Sequence, residues 1–308
     1  MADRIHDRKL VPEAIRPTRR AALGTLGAMA GSASLVACGG DDQVASTSTA
    51  STSAAADEVE KVLSVSSTPT CVVTAVETAG PYPLASVLDN TSIVRKDITE
   101  GKSGTPLTLT LKFVDYDNSC AALSGAAVYV WHCDASGEYS GYSSTANGSH
   151  SGETYLRGVQ LTNSSGKVTF TTIFPGWYIP RLTHIHVEVF LAGTTLSSSA
   201  VATATTQLCF PDSITTAVYD NTTLYAKGQN TVTPTYTSDQ VFGNGVTTET
   251  LTVSGNATTG YYAGIVIGIS STSTSSASGD ATSTSTGGTA SPPSPPTGSP
   301  PSGASPSA

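Results

Sequence analysis

Charge is scarce in this sequence. Of 308 residues only 12% are Asp, Glu, Lys or Arg, about half the roughly 25% of an ordinary globular chain. That level argues against a coiled coil or helical bundle, which would be rich in Glu, Lys and Leu. Acidic residues outnumber basic ones, 23 to 15, for a net charge of −8. That balance argues against a nucleic-acid binder working through a basic face. No run of 18 strongly apolar residues occurs, so a polytopic membrane protein is excluded as well. There is no Cys-x-x-Cys pair, which speaks against a structural zinc site. Helical periodicity is weak and no solenoid or propeller repeat is apparent. Ser, Thr, Gly and Pro fill the deficit, and they gather at the two ends.

The first of those ends, residues 1–38, has the features of an export leader and stands outside any fold argument. Arg19-Arg20 precedes a mildly apolar Ala, Leu and Gly stretch, similar to a twin-arginine signal. The stretch closes on Leu35-Val36-Ala37-Cys38-Gly39, which resembles a bacterial lipobox with Cys38 as the acylated residue. Removing six basic and three acidic leader residues leaves 9 basic and 20 acidic, a net of −11. Nucleic acid and anionic lipid surfaces are poor partners for such a body, and membrane contact is expected only through the leader or a lipid anchor. Four further cysteines, Cys71, Cys120, Cys133 and Cys209, are an even number in an exported chain. They predict two disulfides, with three connectivities open.

Composition divides the rest. Residues 39–70 form a Ser/Thr/Ala-rich linker, and from Gln43 hardly any large apolar residue appears before Val59. Residues 271–308 carry one charge, Asp280, and end in Pro-Pro-Ser repeats. Both segments lack the apolar surface that would offset ordering entropy and are expected to be disordered tethers. Between them, residues 71–270 suffice for one well-buried domain. Leu107-Thr-Leu-Thr-Leu111 alternates with period two, as in a half-buried strand. Ala127–Trp131, Lys167–Phe170 and Ile185–Phe190 are further strand candidates, separated by turns at Asp117-Asn118, Asn147-Gly148, Asn163–Gly166, Pro175-Gly176 and Ala192-Gly193. At most a short helical turn is expected near Ser213–Tyr219. The pattern predicts an all-β sandwich.

Chemistry concentrates around His184-Ile185-His186. On a strand, residues two apart share a face, so both imidazoles point at one spot while Ile185 packs behind. Pro175-Gly-Trp-Tyr-Ile-Pro-Arg181 delivers a tyrosine and an arginine just before the pair. Trp131-His-Cys-Asp-Ala-Ser-Gly-Glu-Tyr139-Ser140 ends a strand, turns at Gly137 and presents a second tyrosine. Two phenols and two imidazoles make a hard O/N donor set, and phenolate is a strong donor to ferric iron. Tyr142 competes with Tyr139 for the first place. His132 is expected to be structural or solvated, and His150 solvated.

In that order the motifs resemble an intradiol ring-cleavage dioxygenase: Gly-x-Tyr after a Trp-His strand, Pro-Gly-x-Tyr, then Arg-x-x-His-x-His. Thr78-Ala-Gly-Pro-Tyr82, Tyr155–Gln160, Gly166–Phe170 and Gln207–Asp212 follow the same family order, and the likeness spans roughly residues 71–245. The resemblance implies that Tyr139, Tyr178, His184 and His186 hold a non-haem Fe(III), with the Gly-x-Tyr register favouring Tyr139 over Tyr142. It implies Arg181 as the active-site arginine, Tyr178 as a ligand that also takes a substrate proton, and Tyr82 and Gln207 as pocket residues. Cys209 departs from the aromatic that many relatives carry there. The activity implied is insertion of both atoms of O2 into a catechol-type ring between the hydroxylated carbons, giving a muconate-type diacid without external reductant. The alternative is a surface-displayed β-sandwich binding module with a vestigial metal site.

Overall fold

The structure, a computed structural model, describes residues 47–64, 71–88, 90–225 and 235–272. The leader with Cys38 and the tail beyond Thr272 lie outside them. The alternating segments form strands, as their patterns predict. Eleven occur among the described residues: β1 Pro106–Asp115, β2 Ala121–Ala122, β3 Ala127–Trp131, β4 Ser143–Ser144, β5 Gly148–Ser149, β6 Arg157–Leu161, β7 Lys167–Ile173, β8 His184–Phe190, β9 Ala204–Cys209, β10 Thr252–Asn256 and β11 Gly260–Ile269. The five-stranded sheet runs β10-β11-β1-β2, with β7 also paired to β1, and the four-stranded sheet runs β6-β3-β8-β9. β4 and β5 make a small ribbon of their own. All pairings between these named strands are antiparallel except β1 with β11, which run parallel from Leu107↔Tyr261 to Asp115↔Ile269.

Both large sheets feed one apolar core. Leu107, Leu109, Leu111 and Phe113 of β1 and Ala263, Ile265 and Ile267 of β11 are buried in one cluster with Val128 and Val130 of β3 and Ile185, Val187 and Val189 of β8. The alternate residues of β3 and β8 face away from that core. They enter a second cluster, where Tyr129, Trp131 and Phe190 pack with Ala79, Val87, Leu88, Ile93, Cys133 and Tyr139 from the covering loops. β8 is therefore buried on both faces. Its second face, roofed by loops, is where polar chemistry can be held away from water.

Three expectations are corrected. The stretch read as a disordered tether contains helix α1, Thr47–Ser64. Its last turn buries Val62 and Leu63, and Gly264 of β11 leaves room for it: a Cβ there would lie 2.9 Å from Val62. Glu60 pairs with Lys167, and Glu58 accepts from Ser254 at 2.7 Å. Two buried aliphatic side chains contribute about 1.5–3 kcal/mol each, enough to dock a helix that would be marginal alone.

The turn expected near Ser213–Tyr219 is a ten-residue helix, α2 Asp212–Asn221, entered through Pro211. Its Tyr219 donates to the Pro175 carbonyl at 3.2 Å and bonds to Thr183, bracing the 175–183 loop from below.

One disulfide forms among the described residues, Cys71–Cys120, with Cα atoms 5.6 Å apart. Cys133 and Cys209 are buried free thiols. Trp131 pairs with His186 and His184 with Cys209, so β8 lies between the two cysteines. Two strand spacings, about 9–10 Å, exceed the roughly 7 Å Cα limit for a bridge.

Candidate metal centre

Two arms converge on β8. The first begins where β3 ends. Asp134 accepts from the Ser136 and Glu138 N–H groups at 2.9 and 3.1 Å, and the chain turns at Gly137, whose φ of +83° suits glycine. A Cβ at Gly137 would lie 2.4 Å from the Trp177 carbonyl, and one at Gly176 2.6 Å from that of Asp134. The two turns pack backbone against backbone, which brings Tyr139 of one arm beside Tyr178 of the other. Buried Asn147 then clamps Tyr139: its Oδ1 accepts from the Tyr139 N–H at 2.7 Å, and its Nδ2 donates to the Tyr139 and Tyr142 carbonyls at 2.8 and 3.0 Å.

The result is a triangle of donor atoms. Tyr139 Oη lies 3.2 Å from His184 Nε2 and 3.4 Å from His186 Nε2, and the two Nε2 atoms are 3.1 Å apart. The Tyr178 ring completes the enclosure, its centroid 5.7 Å from those of both Tyr139 and His184. Trp131 lies flat on His186, centroids 4.6 Å apart and planes 5° from parallel, so cross-strand stacking sets the imidazole plane. His184 Nδ1 donates to the Leu182 carbonyl, which leaves its Nε2 as a bare lone pair.

Protonation states agree with a cation-binding role. Burial lowers His184 to about 3, with Arg181 adding to the effect. Burial, then the neighbouring His184, holds His186 well below its usual value. Both rings are held neutral, the form in which an imidazole can bind a cation. Burial, then Tyr178, pushes Tyr139 well above the ordinary phenol value. Burial raises Tyr178 as well, against the pull of Arg181. These phenols ionise only beside a strong positive charge. Edges of 3.1–3.4 Å match donors each about 2 Å from a shared ion. His186 Nδ1 is buried without a hydrogen-bond partner, so the plane of this ring is set by Trp131 stacking rather than by a hydrogen bond. Among the described residues no group of three or more His, Cys, Asp or Glu is placed to hold a metal.

The remaining sequence candidates fall around it. Arg181 is buried; its Nε donates to Asp239 at 3.0 and 3.2 Å and its guanidinium to Gln207 Oε1 at 2.7 Å. Gln207 in turn donates to the Thr78 carbonyl at 2.8 Å. Tyr82 stacks on Tyr139 at 4.6 Å. Tyr142 instead lies at the roof, where its hydroxyl accepts the Leu84 N–H at 2.9 Å, while Tyr139 is the tyrosine whose hydroxyl reaches both histidines. His132 is structural: buried between the Cys133 carbonyl and the Thr172 hydroxyl, both at 2.8 Å, and lowered to about 4 by burial. His150, expected to be solvated, instead bridges Glu138 and Glu153 at 2.9 and 2.8 Å.

Sequence reasoning missed Asp239, Asn147 and the role of Arg157. That arginine is fully buried and donates to the Tyr82 carbonyl, the Tyr129 hydroxyl, and the Ser140 hydroxyl and carbonyl at 2.7–2.9 Å. It ties the roof to the Tyr139 arm.

With this geometry in place, the comparisons are direct. The family model described as "Dioxygenase" matches residues 79–247. No curated protein matches the chain. Among solved structures, an intradiol ring-cleavage dioxygenase from Tetranychus urticae is 27% identical, aligned over 67% of this chain and 98% of its own, with a TM-score of 0.57. A second dioxygenase structure is 28% identical over 67% of this chain and 97% of its own, at 0.56. The dioxygenase domain of a carbohydrate-binding fusion protein from Streptomyces sp. SirexAA-E is 23% identical over 65% and 99%, at 0.43. The chain belongs to the intradiol ring-cleavage dioxygenase family and is an oxidoreductase of that class.

Proposed function

We propose that the chain is a ferric-iron enzyme that cleaves catechol-type rings between their hydroxylated carbons, on a β-sandwich scaffold. The observation that carries this is the triangle of Tyr139 Oη, His184 Nε2 and His186 Nε2 with Tyr178 beside it. Tyr139, Tyr178, His184 and His186 would hold the metal. Bound there, ferric iron would supply a Lewis-acid centre for a catecholate. The protein's own work is to position and to move protons. Tyr178 takes a proton from one substrate hydroxyl. Arg181, held by Asp239 and Gln207, donates to oxygen that gains charge as the ring loses aromaticity. The roof of Tyr82, Leu84 and Tyr142 excludes water from that exchange.

We also propose export by the twin-arginine route, with Cys38 as lipid attachment point. Such a route carries folded proteins, and the Cys71–Cys120 pair suits it: Cys71 is exposed, so it is open to oxidation after export.

Protein purified with iron available should show a red-brown tyrosinate-to-iron band and consume O2 with catechol. A folded, colourless, iron-free protein overturns the assignment. His184→Ala and Tyr178→Phe should each abolish ring opening, and retained activity in either would mean the ligand set is wrong.

A further inference from the structure

Arg181 stands at the centre already charge-matched. Its partner Asp239 comes from 58 residues further along the chain, and the Asp239 side chain is fully buried. Besides Arg181, that carboxylate accepts the backbone N–H groups of Leu182 at 2.7 Å, Val241 at 2.8 Å and Phe242 at 3.1 Å. Burial alone would raise its pKa; the Leu182 N–H, the Arg181 charge and the Val241 N–H outweigh burial and hold it below the ordinary value. The pair is therefore a neutral unit in a dry site. Two more acids stand behind it: Glu249 is fully buried with both carboxyl oxygens unpartnered, and Glu77 is buried with one. The other guanidinium of the site, Arg157, is committed to the four oxygen atoms described above. Lys102 is paired with Asp134. The side chains flanking the tyrosines are apolar or phenolic: Tyr82 packs edge-on against Tyr178, and the neighbouring Ile179 is 59% exposed.

We propose that Asp239 is a specificity-determining residue: by compensating Arg181 it makes this a site for catechols with uncharged ring substituents and against ring carboxylates. The proposal rests on the catechol-cleaving reading above. A catechol placed by its two hydroxyls would bring a ring carboxylate among these groups, where the described residues offer no spare cation. An unpaired charge in such a space is costly to desolvate. Asp239 acts through Arg181 and is not itself placed at the substrate.

The test is a substrate pair in the iron-loaded enzyme. For the wild type, kcat/KM by oxygen uptake should be at least about 100-fold higher for 4-methylcatechol than for 3,4-dihydroxybenzoate. Binding measured by calorimetry should rank 4-methylphenol above 4-hydroxybenzoate in the same sense. In Asp239→Asn, freeing the Arg181 charge should narrow that ratio at least tenfold, chiefly by improving the carboxylate. Wild-type efficiencies within tenfold of each other overturn the proposal. So does an Asp239→Asn enzyme that loses both substrates equally, since Asp239 would then be merely structural. If that variant does not fold, the two wild-type rankings decide. Failure to cleave any catechol points elsewhere, at the reading on which the proposal rests.

Discussion

Asn147→Ala should unfasten the Tyr139 arm. The Asn147 side chain makes three hydrogen bonds, to the Tyr139 N–H and to the Tyr139 and Tyr142 carbonyls, and is 2% exposed. A hydrogen bond contributes about 0.5–1.5 kcal/mol net, while a buried donor left unpaired costs about 1–3 kcal/mol. The Tyr139 N–H would be such a donor, and the two carbonyls would lose one donor each. The expected loss is about 2–4 kcal/mol. Asn147→Asp keeps the acceptor for Tyr139 and forfeits both donated bonds, so it should fall between alanine and wild type or below alanine if its charge repels the carbonyls. Urea unfolding gives the magnitude, and the m-value checks that the unfolded state is unchanged. Iron content and the visible band of the folded fraction then report on Tyr139 itself. An alanine variant within 0.5 kcal/mol of wild type, with full iron, would refute the clamp.

Other perturbations test other parts of the fold. Gly137→Ala forces a Cβ to 2.4 Å from the Trp177 carbonyl at a φ of +83°; it should cost more than about 2 kcal/mol and lower iron retention, and an unaltered melting curve would count against the packed turns. Glu249 is raised to about 8 by burial and by neighbouring Glu77 and Asp239. The folded state thus keeps a proton that the unfolded chain gives up near 4.5, so stability should fall as pH rises from about 4.5 to 8. Glu249→Gln should flatten that decline, and an unchanged slope in urea melts would exclude Glu249 as its source. Alkylation of denatured, unreduced protein should label Cys133 and Cys209 and spare Cys71 and Cys120, read by peptide mass. Opening the 49-residue Cys71–Cys120 loop should cost about 4 kcal/mol on chain entropy; reduction without loss of stability would contradict that value.

Local pattern carried much of this architecture and long-range contact the rest. Leu107–Leu111 alternates because one side of β1 meets the core, and His184 and His186 share a face because β8 is a strand. β11 is harder to read. Gly260-Tyr-Tyr-Ala-Gly-Ile-Val-Ile-Gly-Ile269 shows no alternation, since Gly264 and Gly268 are small to admit other chain segments: a Cβ at Gly268 would lie 1.9 Å from the Val72 carbonyl. Helix α1 announces itself only in its last turn, where Val62 and Leu63 are the side chains that bury. Asp239 has no local motif at all. Its meaning comes from Arg181, and nothing in the intervening residues links them. Asn147 was legible only as the first half of an Asn-Gly turn. Its second duty, bonding back to Tyr139, depends on how that turn folds over the tyrosine.

The parallel pairing of β1 with β11 sets an order on synthesis. Leu107 finds its partner only at Tyr261, and the register closes at Ile269. All four proposed ligands have been made by His186. At about 5–20 residues per second, roughly 4–17 s separate the last ligand from the strand that completes its scaffold. During that interval β1 has an unsatisfied edge and the core is half built. A chain cut short before β11 would carry every proposed ligand on or beside the β6-β3-β8-β9 sheet while the opposite sheet, and with it half the core, stayed incomplete.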